Sequence, residues 1–123
     1  MHVAHLMVLI AGLMPYLTIG AAKAGPGYDN ASPRDSISKL DGLRARANWC
    51  HANHFEAFAP FAAAVILAEQ TGAAQATINL FAMIFIGFRV AYTACYLGNA
   101  ASLRTLMWMG GFACVIKLFV LSV

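Results

Sequence analysis

Apolar residues dominate four stretches of the chain, and polar residues collect between them. The stretches cover about 1–22, 43–68, 74–97 and 103–123. A membrane-crossing helix needs roughly 20 mostly apolar residues, so each is predicted to be one. The block between the first two, "KAGPGYDNASPRDSISKLDG" at 23–42, is rich in turn formers and charge. It reads as an aqueous loop with a short interfacial helix around 32–40, where Pro33 suits the first helical turn. The other connections are short, "EQTG" at 69–72 and "GNAAS" at 98–102. Short connections make neighbouring helices antiparallel. The predicted fold is all-α: an integral membrane four-helix bundle, one domain over 1–123, with no internal repeat.

Composition agrees. Of 123 residues, 61% are hydrophobic and only 11% charged, with a mean hydropathy of +0.69. A soluble domain of this size has too little interior to hide that much apolar surface. The first stretch lacks a positively charged leading region and is long for the apolar part of a signal peptide. It is read as a retained span.

The net charge of +3 is unevenly placed. Lys23, Arg34, Lys39, Arg44 and Arg46 fall between the first two spans, and Arg104 follows the third. The opposite side has only Lys117. The positive-inside rule then puts these two loops in the cytoplasm and both termini across the membrane. No basic stripe interleaved with aromatics occurs in an aqueous segment, so nucleic-acid binding is not expected. Cys50, Cys95 and Cys114 all lie in predicted spans without a CxxC pattern, and are read as buried free thiols.

Polar residues inside the spans carry the candidate chemistry. A charged side chain near a bilayer centre costs about 2.5–3.5 kcal/mol on insertion scales, which makes each one a functional candidate. Two occur, Glu56 in the second span and Arg89 in the third. At about 1.5 Å rise per residue, Glu56 is roughly 15 Å past Arg46 and Arg89 roughly 14 Å before Gly98. Antiparallel helices bring them to one level, and an ion pair between them is expected. Trp49, Asn53, Glu56 and Pro60 share one face of the second helix, and Arg89, Tyr92 and Tyr96 share one face of the third. The two stripes make a half-buried pocket with Arg104, Arg44 and Arg46 at its cytoplasmic mouth. Its fitting guest is an anionic amphipathic molecule. Pro60 cannot donate to the carbonyl of Glu56, so a bend that widens the pocket is one reading and a structural kink the other.

Other residues have plainer readings. His51 and His54 fall with Cys50 on more than one helix face, so a metal site is not expected. His2 and His5 read as interfacial. Phe55, Phe58 and Phe61 read as lipid-facing or inter-helix packing, and Trp108 and Met109 as ordinary packing. Tyr96 fits an interfacial aromatic belt better than the deeper Tyr92 does.

The motif "HANHFEAFAPF", preceded by the basic "LRARAN", resembles the MAPEG superfamily, the membrane-associated proteins in eicosanoid and glutathione metabolism. That family shows an arginine-rich entry, Asn-x-x-Glu, a proline and an aromatic, as Asn53, Glu56, Pro60 and Phe61 stand here. Its third helix carries an arginine and two tyrosines, as Arg89, Tyr92 and Tyr96 do, and an arginine near the start of the fourth matches Arg104. The resemblance covers essentially the whole chain. It is to a bacterial-type member similar to microsomal glutathione transferases, which implies a multi-pass protein of the bacterial inner membrane.

The resemblance implies a homotrimer of four-helix subunits with glutathione between neighbours near the cytoplasmic face. Arg46, Asn53, Glu56, Arg89 and Tyr92 are then the glutathione-binding candidates. Arg104 is the leading catalytic candidate and Tyr96 the second, lowering the thiol pKa for attack by the thiolate. The expected function is a membrane-bound glutathione-dependent transferase or peroxidase acting on hydrophobic electrophiles, with glutathione as co-substrate and no metal. Its partners are membrane lipid, a hydrophobic small molecule and its own copies. One departure stands out: several family enzymes carry an arginine where this chain has Trp49, and Arg46 is the candidate substitute. A non-catalytic lipid-binding protein is the alternative. A proton-coupled exporter built on Glu56 is a third, disfavoured by Arg89 at matching depth.

Overall fold

A computed structural model describes every residue from Met1 to Val123. Five helices follow in order: α1 (Val3–Lys23), α2 (Pro33–Ser38), α3 (Gly42–Gln70), α4 (Gln75–Leu97) and α5 (Ala101–Val120). No strand is present. The predicted interfacial helix is α2, begun by Pro33, whose fixed φ and missing N–H suit a first turn. α3 runs unbroken through Pro60 for 29 residues.

Both tight turns are set by left-handed residues just past a helix end. Gly72 (φ +79°) follows α3, and Asn99 (φ 59°) follows α4. After α3, Ala73 N–H donates to Ala68 O and Gly72 N–H to Glu69 O. After α4, Ala100 N–H donates to Cys95 O and Asn99 N–H to Tyr96 O. These paired bonds form the Schellman cap that satisfies the last carbonyls of a helix. Each turn reverses the chain within a few residues.

Side chains then register the helices. Arg44, at the start of α3, donates to Ala22 O (2.9 Å) at the end of α1, and also reaches the carbonyls of Gly25 and Pro26. Arg46 donates through Nε (3.3 Å) and Nη2 (3.1 Å) to Leu97 O at the end of α4. At the far end of the bundle, Asn79 Oδ1 accepts from Ala4 N–H (3.0 Å), and His5 Nε2 lies 2.7 Å from Glu69 Oε2. One end of the bundle therefore carries the basic loop and Arg104, as the charge pattern implied.

The core lies mid-bundle. Phe61 of α3 stacks on Phe85 of α4, with centroids 3.9 Å apart, and Val65, Ile78 and Leu118 close around them fully buried. α1 packs chiefly on α3, and α4 on α5. Gly110 and Gly111 let α5 press against Phe85 and Phe88 of α4. The three phenylalanines of α3 divide: Phe61 is core, Phe58 half-buried beside Gly12, and Phe55 exposed.

α1, α4 and α5 are long and apolar enough to cross a membrane. α3, expected from the sequence to be one of four spans, is not among them. Its length suffices, but Arg44, Arg46, Asn48, His51, Asn53, His54 and Glu56 lower the apolarity of its first half.

Candidate functional site

Three helices supply the groove. α3 brings Asn53, Glu56, Ala57 and Pro60, α4 brings Phe85, Arg89, Tyr92 and Tyr96, and α5 brings Arg104, Trp108 and Phe112. The outer part is a cleft of about 250 Å³ bordered by Tyr92, Tyr96, Arg104 and Thr105. The inner part is another of about 250 Å³, lined by Phe85, Phe112 and Val115 together with Glu56 and Arg89. Asn53 and Trp108 line both, so the two form one groove with a polar mouth and an apolar inner end.

A ladder of cations and rings builds the α4–α5 wall. The Arg89 guanidinium lies over the Tyr92 ring at 4.3 Å. Tyr92 meets Tyr96 edge-on at 5.5 Å, and Arg104 lies over Tyr96 at 4.6 Å. Ring faces attract cations through their quadrupole, so each arginine rests on a ring by an attraction that does not itself consume an N–H group. The Arg104 side chain makes no hydrogen bond within the chain, so all its donors are free for a ligand at the mouth.

The expected Glu56–Arg89 ion pair does not form; the salt bridge between charged side chains is Lys39–Asp35, and His5–Glu69 becomes one only with His5 protonated. Asn53 stands between the two residues. Its Oδ1 accepts from Arg89 Nη2 at 3.0 Å, and its Nδ2 donates to Glu56 Oε2 at 3.2 Å. The physical reason is placement around α3. Arg89 is 3% exposed and points into the bundle, whereas Glu56 is on an outward face of the isolated chain. Matching depth was right, but depth alone does not fix azimuth.

Arg89's second partner is His54, a residue that the sequence offers only as a poor metal ligand. Nη2 lies 2.8 Å from His54 Nδ1. Arginine has only donors, so Nδ1 accepts and the imidazole proton sits on Nε2. That Nε2–H reaches Thr93 Oγ1 at 2.9 Å, and Thr93 O–H donates to Arg89 O at 2.8 Å. A closed ring of hydrogen bonds thus joins α3 to α4, with Cys50 Sγ 3.5 Å from Nε2. Buried side-chain nitrogens and oxygens all have partners. Periodicity could have found Thr93, four after Arg89 on the same face, but not His54, which adjoins Asn53 in sequence and so lies on a different face of the helix.

The remaining candidates are scattered. Arg46 caps α4 through Leu97 O and borders neither part of the groove. Trp49, 55% exposed, also lies outside it. Trp108, read as ordinary packing, lines both parts and stacks on Phe112 at 5.1 Å. The groups present offer no cluster of three metal ligands.

A separate cleft of about 460 Å³ lies on another side of α3, between α1, α2 and α3, lined by Tyr16, Lys23, Arg34, Asn48 and His51 among others. Lys39 is paired with Asp35, and Arg44 and Arg46 hold helix ends, which leaves Lys23 and Arg34 as the cations of the loop region without a hydrogen-bonded acceptor. Outside the spans, Glu69 is the perturbed carboxylate. Burial raises its pKa, but hydrogen bonds with His5 and Gln75 outweigh that and hold it below the usual range.

The model of the MAPEG family matches residues 3–123. No curated protein matches the chain.

Proposed function

The chain belongs to the MAPEG family and is an integral membrane protein; from that premise we propose that it is a glutathione-dependent transferase or peroxidase acting on hydrophobic electrophiles. The observation that carries the reading is the groove, in which the unbonded guanidinium of Arg104, a carboxylate held by one amide and an apolar inner end lie in sequence. Glutathione has two carboxylates, an ammonium and a thiol. Arg104 offers donors for an anion at the mouth, and Glu56 offers a carboxylate for the ammonium. Tyr92 and Asn53 fill the space between, and Arg89 sets their positions from behind. Phe85, Trp108, Phe112 and Val115 then suit a hydrophobic electrophile beside the tripeptide.

The chemistry follows from charge. A free thiol titrates near 8.5, and a neighbouring cation lowers that value by favouring the thiolate. Arg104, held over Tyr96, is the cation best placed to do this, and the Tyr96 hydroxyl is the second donor. The thiolate attacks the electrophilic centre, forms the new bond to sulfur, and expels the leaving group into the groove. Arg46 contributes indirectly, by fixing the end of α4 on which Tyr96 sits.

The working unit is a homotrimer with four spans per chain, α3 included. The polar half of α3 is then turned to the groove and to neighbouring copies instead of to lipid. A neighbour that brings its Lys23–Arg34 cleft against the Arg104 mouth adds cations for the second carboxylate. The site faces the cytoplasm of a bacterial inner membrane, on the side rich in lysine and arginine.

Trp49 favours a second reading. It stands exposed where several family enzymes carry an arginine, and suits a protein that binds lipid without transforming it. Calorimetric titration of the detergent-solubilised protein with glutathione, together with thiolate absorbance, separates the two. Arg104→Ala is expected to stay folded and lose both signals, while Lys117→Ala, across the membrane, keeps them. Wild-type protein with neither signal at millimolar glutathione rejects the enzyme reading and leaves lipid binding in front.

A further inference from the structure

Arg89 is a buried cation whose hydrogen-bonding partners are neutral. Its Nη2 divides between Asn53 Oδ1 and His54 Nδ1, and its face rests on the Tyr92 ring. Asn53 in turn faces Glu56 with its amide nitrogen. That orientation is imposed. An amide has a donor end and an acceptor end, and the guanidinium can meet only the acceptor. The donor end is thereby sent to the carboxylate. Without a fixed guanidinium, the amide can turn over, and its oxygen would then face the carboxylate and repel it.

What fixes the guanidinium is His54. It is 3% exposed, and both ring nitrogens are engaged in the closed ring described above. The order Arg89 N–H to Nδ1, Nε2–H to Thr93, and Thr93 O–H to the Arg89 carbonyl works in one tautomer. With the proton on Nδ1, two donors would face each other at 2.8 Å.

We propose that His54 is the positioning residue of the groove: as the Nε2–H tautomer locked by Thr93 it holds Arg89, and through Arg89 and Asn53 it sets the carboxylate of Glu56 for the ammonium of the bound peptide. His54 touches no ligand and acts through three residues in turn. The proposal rests on the glutathione reading above and deepens it, because it assigns recognition of the ammonium to a buried relay.

The test compares glutathione with its N-acetyl derivative, which lacks the ammonium. In the wild-type protein, glutathione should bind tighter by roughly ten- to a hundredfold, the range for a hydrogen bond to a charged group. His54→Leu, which fills the space without an acceptor, should bring that ratio close to one. His54→Asn, whose short amide oxygen can replace Nδ1, should restore most of it. Thr93→Val removes the tautomer lock and should reduce the ratio several-fold even if His54→Leu fails to fold. Nitrogen-15 NMR of the wild-type protein should find Nδ1 unprotonated and Nε2 protonated. A protonated Nδ1, or an unchanged ratio in Thr93→Val and any folded His54→Leu, overturns the proposal while leaving glutathione binding intact. Absence of glutathione binding by the wild-type protein instead removes the glutathione reading, and this assignment with it.

Discussion

Gly110 and Gly111 are adjacent on α5, yet the same substitution at each should have opposite consequences. A Cβ added at Gly110 falls 2.4, 2.5 and 2.7 Å from three ring atoms of Phe88. Carbon contacts are comfortable at about 3.5–4.0 Å, so roughly 1 Å must be found. The Phe88 ring is rigid and packs against the buried core, so swinging it displaces neighbours and holding it pushes α5 outward. Overpacking of this kind costs about 1–3 kcal/mol. At Gly111 the added Cβ meets Phe85 and Phe88 at 3.7 Å, an ordinary contact. Both changes gain about 1 kcal/mol of helix propensity over glycine, and this cancels between them. Gly110→Ala should therefore be less stable than Gly111→Ala by about 1–3 kcal/mol. Unfolding followed by circular dichroism in one detergent, with thermal or SDS titration, measures the difference. Because α5 carries Arg104 and Trp108, Gly110→Ala should also weaken glutathione binding while Gly111→Ala leaves it near wild type. Equal stabilities, or a more stable Gly110→Ala, would refute the packing of α4 on α5 described here.

Three further outcomes are expected. In double-mutant cycles, Asn53 and Arg89 should couple by about 1.5–3 kcal/mol, as for a hydrogen bond to a charged group, and Glu56–Arg89 coupling should largely disappear in an Asn53→Ala background; full coupling there would restore the direct ion pair. The depressed pKa of Glu69 means that its contribution to stability is present above its ordinary value of 4.5 and is lost as the pH falls through the lower, folded-state value; acid titration of wild type and Glu69→Gln should differ in that window, and identical profiles would remove the His5–Glu69 tie. Reporter fusions after Val123 should be non-cytoplasmic and tags within the 23–42 loop cytoplasmic, and a cytoplasmic C-terminus would reverse the placement of the groove.

Most of the helical layout was legible because turn chemistry and hydropathy agree at each boundary. Gly72 and Asn99 mark chain reversals, Pro33 marks a helix start, and the apolar runs leave little choice of element. The depth of Glu56 against Arg89 was legible too, since rise per residue is nearly constant. Azimuth was not. It depends on how α1 and α5 pack against α3 and α4, and that is decided by close contacts such as Phe58 with Gly12 and Phe88 with Gly110. The missing Glu56–Arg89 ion pair and the unannounced contact of His54 with Arg89 have this one origin. A histidine beside an asparagine looks surplus until the helix is rotated and its ring meets a buried guanidinium. Arg46, named as a candidate from the family resemblance, is placed on the carbonyl of Leu97, a tie between helix ends that no spacing in the sequence announces.

The exposure of Glu56 bears on assembly as well as on chemistry. A single copy of this chain would present a carboxylate, with Trp49 and Asn53 on the same helical face, roughly half-way into a bilayer. The insertion cost of such a charge is about 2.5–3.5 kcal/mol, and the one hydrogen bond from Asn53 offsets only part of it. Elsewhere the chain meets its polar groups carefully, since its buried side-chain nitrogens and oxygens all have partners. A carboxylate left open on an otherwise well-satisfied bundle therefore argues for a surface that is covered in use. In the proposed homotrimer, neighbouring copies would supply the cover and the ammonium of the proposed ligand the counter-charge, and the two requirements are met together if the ligand sits where the copies meet. On this reasoning, Glu56→Gln should cost binding of glutathione without costing assembly, because it removes the charge and keeps the side chain's shape and polarity. Size measurement of the detergent-solubilised variant beside its glutathione titration tests both halves. Loss of the oligomer in Glu56→Gln would mean that the carboxylate holds copies together and does not receive the ligand.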